Sequence, residues 1–427
     1  MRRLLLPILL LLTMVGNAPA AIEISAPGQQ EIPLALVAPL PLAEPRPALA
    51  GEFARVLRDD LVFSGLFRLI DARAFLADAG RMGLVSIDVD FAEWRLLGAE
   101  MLIKGGYRVR GEQLIVEARL FDVRAGRLLD GRRYVGRTGD VRRIAHAFAD
   151  QVLKTLTGRF GPFSSRIAFI GDQTGHKELY LMDVDGHNPI RITAHRSIVL
   201  NPDFSADGRR ILFTSYRDGN TNLYQKEIYT GRERRISSRK GLNVGGRFSP
   251  VDDRIALTLS KDGNPEIYLL SATGKIVERL TRHWGIDIDP SWSPDGDELV
   301  FVSNRRGNPH LFIKAPGGEV RRLTLNGKYN ATPAWSPTGD RIAFSRKENG
   351  VFDIYTIRPD GSDERRLTFG PGNKEHPRWS PDGRFLVYSS DASGRKEIFL
   401  MRSDGTGQWK ISPPGGNCNH PAWSPRF

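Results

Sequence analysis

The sequence predicts a mostly β chain: an N-terminal α/β domain followed by a six-bladed β-propeller closed by the C-terminal strand. Three observations carry this. One short pattern recurs six times along residues 165–427, and its serine falls at Ser205, Ser249, Ser293, Ser336, Ser380 and Ser424, a period of 43 or 44. Each repeat is dense in strand signals, the signature of a propeller blade. The opening strand of the repeat is displaced: its first clear copy precedes Ser205 and its last, His420-Pro421-Ala422-Trp423-Ser424, stands alone at the end. A ring solves that offset, because the last strand can complete the blade begun at Ser165 and remove two open sheet edges.

Residues 1–20 read as a signal peptide, with Arg2 and Arg3, an apolar run from Leu4 to Leu12, and Ala18-Pro19-Ala20 as the cleavage site. The run is too short to span a bilayer. Residues 21–31 follow as a flexible segment. Pro27, Gly28 and two glutamines leave it little apolar surface to bury, while the alternation Ile22-Glu23-Ile24 suits pairing with a partner's sheet edge.

Residues 32–160 lack the repeat and read as the α/β domain. Strands are expected at Ile32–Val37 and Phe67–Ile70, and then at Met101–Val109, Gln113–Val123 and Arg127–Val135. Helices are expected at Ala48–Val62 and Ala72–Ala79, with a last one capped by Asp140 and ended by Gly158.

Residues 161–427 form the propeller. Each unit opens on Phe204, Phe248, Trp292, Trp335, Trp379 or Trp423. A tight turn such as Ser293-Pro294-Asp295-Gly296 follows. Pairs spaced by two, such as Leu299 and Phe301, then mark one face of the second strand. A Leu-Tyr or Ile-Tyr pair marks the third, and Arg-Ile-Thr or a close variant the fourth. These residues are read as fold-building, and the turn aspartates as turn chemistry.

Net charge is +12, or +10 without Arg2 and Arg3. The repeated arginine of the fourth strand spreads it around the ring, so no single basic patch is expected, and export argues against nucleic acid. The sole cysteine, Cys418, has no partner for an internal disulfide and is read as a bystander. No G-x-S-x-G, H-E-x-x-H, Walker A loop or G-x-G-x-x-G occurs, and the eight histidines show no metal-ligand spacing. Hence no enzyme, metal or cofactor is expected. The chain runs two residues past the last Ser-Pro, so no hydrolase domain of the kind that follows some propellers is expected either.

Where would a partner sit? In a four-stranded up-and-down blade the first and third turns share one face of the disc. The second turn and the crossover to the next blade share the other. The crossovers are the longer, more varied loops, and such loops on a rigid ring are where recognition is built. At their ends, four residues before each motif serine, stand Asn201, Gly245, Asp289, Thr332, His376 and His420. These six are the candidate partner-binding residues around the channel mouth. A simple role as strand-start hydrogen bonders is the alternative for each.

Several stretches extend the argument: Asp60-Leu61-Val62-Phe63-Ser64-Gly65-Leu66-Phe67, Gly98-Ala99-Glu100, His146-Ala147-Phe148-Ala149-Asp150, Leu156-Thr157-Gly158 and the terminal Pro421-Ala422-Trp423-Ser424-Pro425. Joined to a six-bladed ring, they resemble the TolB family of the Tol-Pal envelope system over essentially the whole chain. The resemblance implies a monomeric periplasmic adaptor with no catalytic role and no stable membrane insertion. It implies that the propeller binds the peptidoglycan-associated lipoprotein Pal. The mature N-terminal peptide, with Ala21, Ile22, Glu23, Ile24 and Ser25 at its start, would bind the inner-membrane protein TolA. The system supports outer-membrane integrity and constriction at cell division. A carbohydrate- or ion-binding propeller, and a hydrolase or lyase using the channel, are the competing classes.

Overall fold

The computed structural model describes residues 31–315 and 317–426. The expected signal peptide and Ala21 to Ser25 lie outside the described residues. The chain begins with strands β1 (Ile32–Leu36) and β2 (Leu40–Pro41), helix α1 (Pro47–Phe63) and strand β3 (Phe67–Leu69). Helix α2 (Phe91–Leu96), strands β4 (Met101–Arg110), β5 (Gln113–Asp122) and β6 (Arg127–Arg137), and helix α3 (Val141–Thr157) complete this part. The sheet runs β3-β1-β4-β5-β6, with β2 pairing to β4 beyond the end of β1. Pairings of β1 with β3 and β4 are parallel, and those of β4, β5 and β6 antiparallel. The inner faces of α1 and α3 (Phe53, Leu57, Leu61, Phe148, Val152) pack against Leu34, Ile103, Leu114 and Val116. Each such side chain contributes roughly 1.5–3 kcal/mol on burial.

The strands and the two long helices form where the periodicity places them, within a residue or two. The helix expected at Ala72–Ala79 does not form; two 3₁₀ turns, Ala72–Ala74 and Ala77–Gly80, replace it. The cause is Asp78. Its carboxylate takes Lys104 Nζ at 2.6 Å and Trp94 Nε1 at 2.7 Å, and its carbonyl takes the same ammonium at 2.6 Å. A fully buried ion pair needs these extra partners to offset its desolvation. Asp140 stands at the start of α3, but its carboxylate accepts the N–H of Arg137 at 2.8 Å rather than one from the helix. Gly158 ends α3 as expected, at φ 77°.

Six four-stranded antiparallel sheets follow. Blades 2 to 6 open with the inner strands Val199–Phe204, Asn243–Phe248, Asp287–Trp292, Asn330–Trp335 and Lys374–Trp379. Blade 1 takes its inner strand, Cys418–Trp423, from the end of the chain, paired to Arg166–Gly171. The fourth strands explain the repeated Arg-x-Thr. Thr281 Oγ1 donates to Glu266 at 2.5 Å and accepts the N–H of Ile267 at 2.9 Å, while Arg279 reaches Glu266 at 3.2 Å. Thr368, Asp353 and Arg366 repeat the arrangement. In these two blades the fourth-strand arginine is paired within its own sheet.

The N-terminal part sits on the first- and third-turn face, over blades 6 and 1. Phe63 stacks on Phe385 with centroids 4.6 Å apart and meets Trp409 at 4.2 Å. Arg402 donates to the carbonyls of Phe63 and Val62, each at 3.0 Å, and Arg384 to Thr157 at 2.6 Å. The signature residues lie in this junction. His146 of α3 bonds Asp60 of α1 at 2.7 Å and stands 3.3 Å from Asp185 in the third turn of blade 1. Asp150 accepts the N–H groups of Phe163 and Ser164 and meets Arg426 at 3.3 Å. Burial works against charge on His146, but the pull of Asp60 and Asp185 outweighs it and raises the imidazole to about 10. Burial raises Asp60 to about 6 against the opposing pull of His146.

Candidate functional site

Each inner strand carries the same irregularity. In blade 2, Leu200 pairs with Thr214 and Asp203 with Leu212, so one extra residue is inserted between them. Equivalent shifts occur between Val244 and Arg247, Ile288 and Ser291, Ala331 and Ala334, Glu375 and Arg378, and Asn419 and Ala422. The inserted residues begin with Asn201, Gly245, Asp289, Thr332, His376 and His420. Every one has positive φ, from 47° to 67°. Five are followed by proline and Gly245 by Gly246. Proline has no N–H to give a ladder, and bulges are where strands tolerate it. Left-handed φ is easy for Gly245 and strained for Thr332, whose branched Cβ crowds the backbone.

The six expected residues therefore share one backbone geometry at one level of the ring. The imidazoles of His376 and His420 face each other from blades 6 and 1, with centroids 4.0 Å apart at 39°. Gly245 borders Asp289: a Cβ at Gly245 would lie 3.4 Å from Asp289 Oδ1. Thr332 Oγ1 shares a hydrogen bond of 2.8 Å with Ser345 Oγ. Burial, then Lys396 and Arg247, lowers His376 to about 3. His420 is pushed down by burial and then by His376, Lys396, Lys177 and Arg247. Both imidazoles are neutral at pH 7. Asp289 is raised by burial, with Arg247 opposing.

Two residues further along, a second level of the channel was not foreseen from the sequence. Asp203 pairs with Arg247 at 3.6 Å and accepts the N–H of Phe248 at 2.9 Å. Burial raises Asp203 to about 6, with Arg247 pulling it down. Ser291 takes the N–H of Trp335 at 3.0 Å. These contacts join each blade to the next. At the first-turn end, a cavity of about 420 Å³ is lined by the motif turns of all six blades. Among the described residues no cluster of three or more His, Cys, Asp or Glu is arranged to hold a metal, and no helix is long and apolar enough to cross a membrane.

The crossover face is opposite the N-terminal part and carries large exposed apolar side chains. Trp284 is 76 % exposed, Leu325 75 % and Phe369 66 %, with Ile198, Leu242, Ile286 and Tyr329 also exposed. Leu325 and Phe369 each stand three residues past the end of a fourth strand. The preceding strands stop at Arg322 and Arg366, because Thr324 and Thr368 turn inward to satisfy the third strand.

Residues 20–129 match the family model described as the TolB amino-terminal domain, and residues 153–427 match the TolB beta propeller domain. The chain belongs to the TolB family. The Tol-Pal system protein TolB of Syntrophotalea carbinolica is 62% identical over 211 residues, 49% of each chain. That of Geobacter sulfurreducens is 46% identical over 210 residues, 47% of this chain and 48% of the relative. The chain spans about half the length of the curated TolB relatives it matches. The crystal structure of TolB from Acinetobacter baumannii superposes with a TM-score of 0.82 at 26% identity, covering 93% of this chain and 97% of that one.

Proposed function

We propose that the protein is a non-enzymatic adaptor of the Tol-Pal system in the periplasm. In this reading the crossover face docks the lipoprotein Pal, and residues 21–31, starting Ala21-Ile22-Glu23-Ile24-Ser25, bind TolA. The link between the two supports outer-membrane integrity and constriction at cell division. The observation that carries the reading is the crossover face. Exposed Trp284, Leu325 and Phe369 stand on three consecutive crossovers beside a mouth of left-handed residues, on the side of the ring that the N-terminal part leaves free. Contiguous exposed apolar surface rimmed by polar groups marks protein-docking sites, and aromatic anchors dominate such interfaces. Membership of the TolB family supports a role in the Tol-Pal system. The test is capture from an envelope extract with the mature protein as bait. Pal and TolA should both be recovered, and recovery of neither contradicts the reading.

A further inference from the structure

The mouth is not uniform in charge. On the side formed by blades 1 and 6, a cleft of about 250 Å³ opens between the second turn of blade 1 and the end of the last crossover. Its walls include Lys177, Lys396 and Asn419. Lys177 makes no ion pair among the described residues, and Lys396 has only Glu375, at 3.5 Å between two partly exposed groups. Asn419 Oδ1 is engaged by His420 Nδ1 at 3.0 Å, which leaves its amide N–H₂ for the cleft. One carboxylate, Asp172, also lines the cleft. Both its oxygens are held by Asn417, at 2.6 Å from the backbone N–H and 2.8 Å from the side-chain amide.

Two ammonium groups and an amide donor around a small cleft form an acceptor-seeking set. Behind it stand His376 and His420: burial opposes charge on both, followed by Lys396 and Arg247 on His376 and by His376, Lys396, Lys177 and Arg247 on His420. Asp203 pairs with Arg247 at 3.6 Å, and the same arginine pulls on Asp289. A cation is disfavoured in this cleft. An anion is favoured by the lysines.

We infer that this cleft is a carboxylate seat: an Asp or Glu side chain of the protein that docks on the crossover face enters between Lys177 and Lys396 and accepts from Asn419. The inference rests on the proposed role of that face and adds the chemistry of the contact. It requires no covalent step. Its polarity is specific, because a lysine or arginine presented at the same place would meet two like charges.

The test uses the soluble domain of Pal and the mature full chain, titrated calorimetrically at low and physiological salt. Lys177→Gln and Lys396→Gln should each weaken binding about tenfold and flatten its salt dependence. Lys275→Gln, in a third turn on the opposite face, should leave both unchanged. Wild-type binding with unaltered affinity and salt dependence in the double variant overturns the seat while leaving the adaptor reading intact. Failure of wild type to bind Pal sinks the adaptor reading instead. The seat is then read with acetate as probe, followed by the Asn419 side-chain amide resonance. A shift in wild type that disappears in the double variant supports the seat, and no shift in wild type overturns it.

Discussion

Trp423 Nε1 donates to Ser165 Oγ at 2.6 Å, joining the last strand of the chain to the start of the first blade across 258 residues. Ser424 Oγ accepts the N–H of Arg166 at 2.8 Å beside it. The ring therefore depends on its final residues. Deleting His420 to Phe427 strips the inner strand from blade 1 and opens edges on both sides. Thermal unfolding should shift sharply downward, and Trp423→Ala alone should cost about 3–5 kcal/mol. An unchanged melting temperature in the truncation would contradict closure by this strand.

The junction between the two parts should be sensitive to alkali. Raised to about 10 by Asp60 and Asp185, His146 contributes stability that is whole below about 6.5, its ordinary value, and is lost as pH rises through 10. Asp60 acts in the opposite sense at lower pH. Raised to about 6, it contributes stability below its ordinary range that fades as pH rises through 6. Between pH 7 and 10 the histidine dominates. Urea unfolding should show stability falling over that window in wild type, and a flatter profile in His146→Gln. That substitution also leaves the buried Asp60 carboxylate without its partner, while Asp185 keeps Arg142, at a cost of about 3 kcal/mol at pH 7. A wild-type profile flat to pH 10 would count against the assignment.

Strain at the channel mouth should be separable from folding. Asp289 combines a left-handed backbone with a half-buried carboxylate that desolvation pushes up. Asp289→Gly relieves both and should stabilise the protein by about 1–2 kcal/mol. Because the folded state holds its proton more tightly, the carboxylate costs more as pH rises. The gain should therefore be larger at pH 8 than at pH 4. Comparable destabilisation at pH 8 would show that Asp289 anchors the strand.

The propeller was legible because its repeat is written in residue types with strict roles. Trp379 opens a blade, Asp295 orders a turn through Ser293 Oγ at 2.5 Å, and Thr281 satisfies a neighbouring strand. The bulge residues were found from their position four before the serine. Their shared left-handed geometry was not readable, since Asn, Asp, Thr and His do not signal it as glycine does. The exposed Trp284 and Phe369 were hidden for a related reason: apolar residues beside strand ends look like core until burial is known. Short helix α2 was missed because six residues show no helical period. The junction of His146 with Asp185 joins residues 39 positions apart in different parts of the fold, and no local pattern announces it. Asp382, in a motif turn like that of Asp295, has a buried side chain beside Arg384, which bonds Thr157 of the N-terminal part, whereas Asp295 is exposed.

On the proposed reading, the N-terminal peptide and the crossover face are coupled. Deleting residues 21–31 should abolish TolA binding while Pal binding persists. If Pal lowers the affinity for TolA, TolA must lower that for Pal by the same factor. Paired titrations, each with and without a saturating second partner, measure both factors. Full TolA affinity in the truncation would contradict the role of the peptide, and equal affinities with and without Pal would contradict the coupling.

The central claim is that the crossover face, and not the Ser-Pro turn face, docks the lipoprotein. It is tested most directly by the affinity of the soluble domain of Pal for four proteins: wild type, Trp284→Ala, His376→Glu and Asp295→Lys. Trp284 is an exposed apolar side chain, and a carboxylate at His376 would lie against the ring of His420 and compete with an acidic partner group for Lys396. Both substitutions should weaken binding at least tenfold, the scale of losing an interfacial anchor or of occupying the charge an interface contact needs. Asp295→Lys, on the opposite face, should bind as wild type does, with the melting temperatures of all four close to one another. Equal losses in all three variants, or a loss confined to Asp295→Lys, would contradict the account.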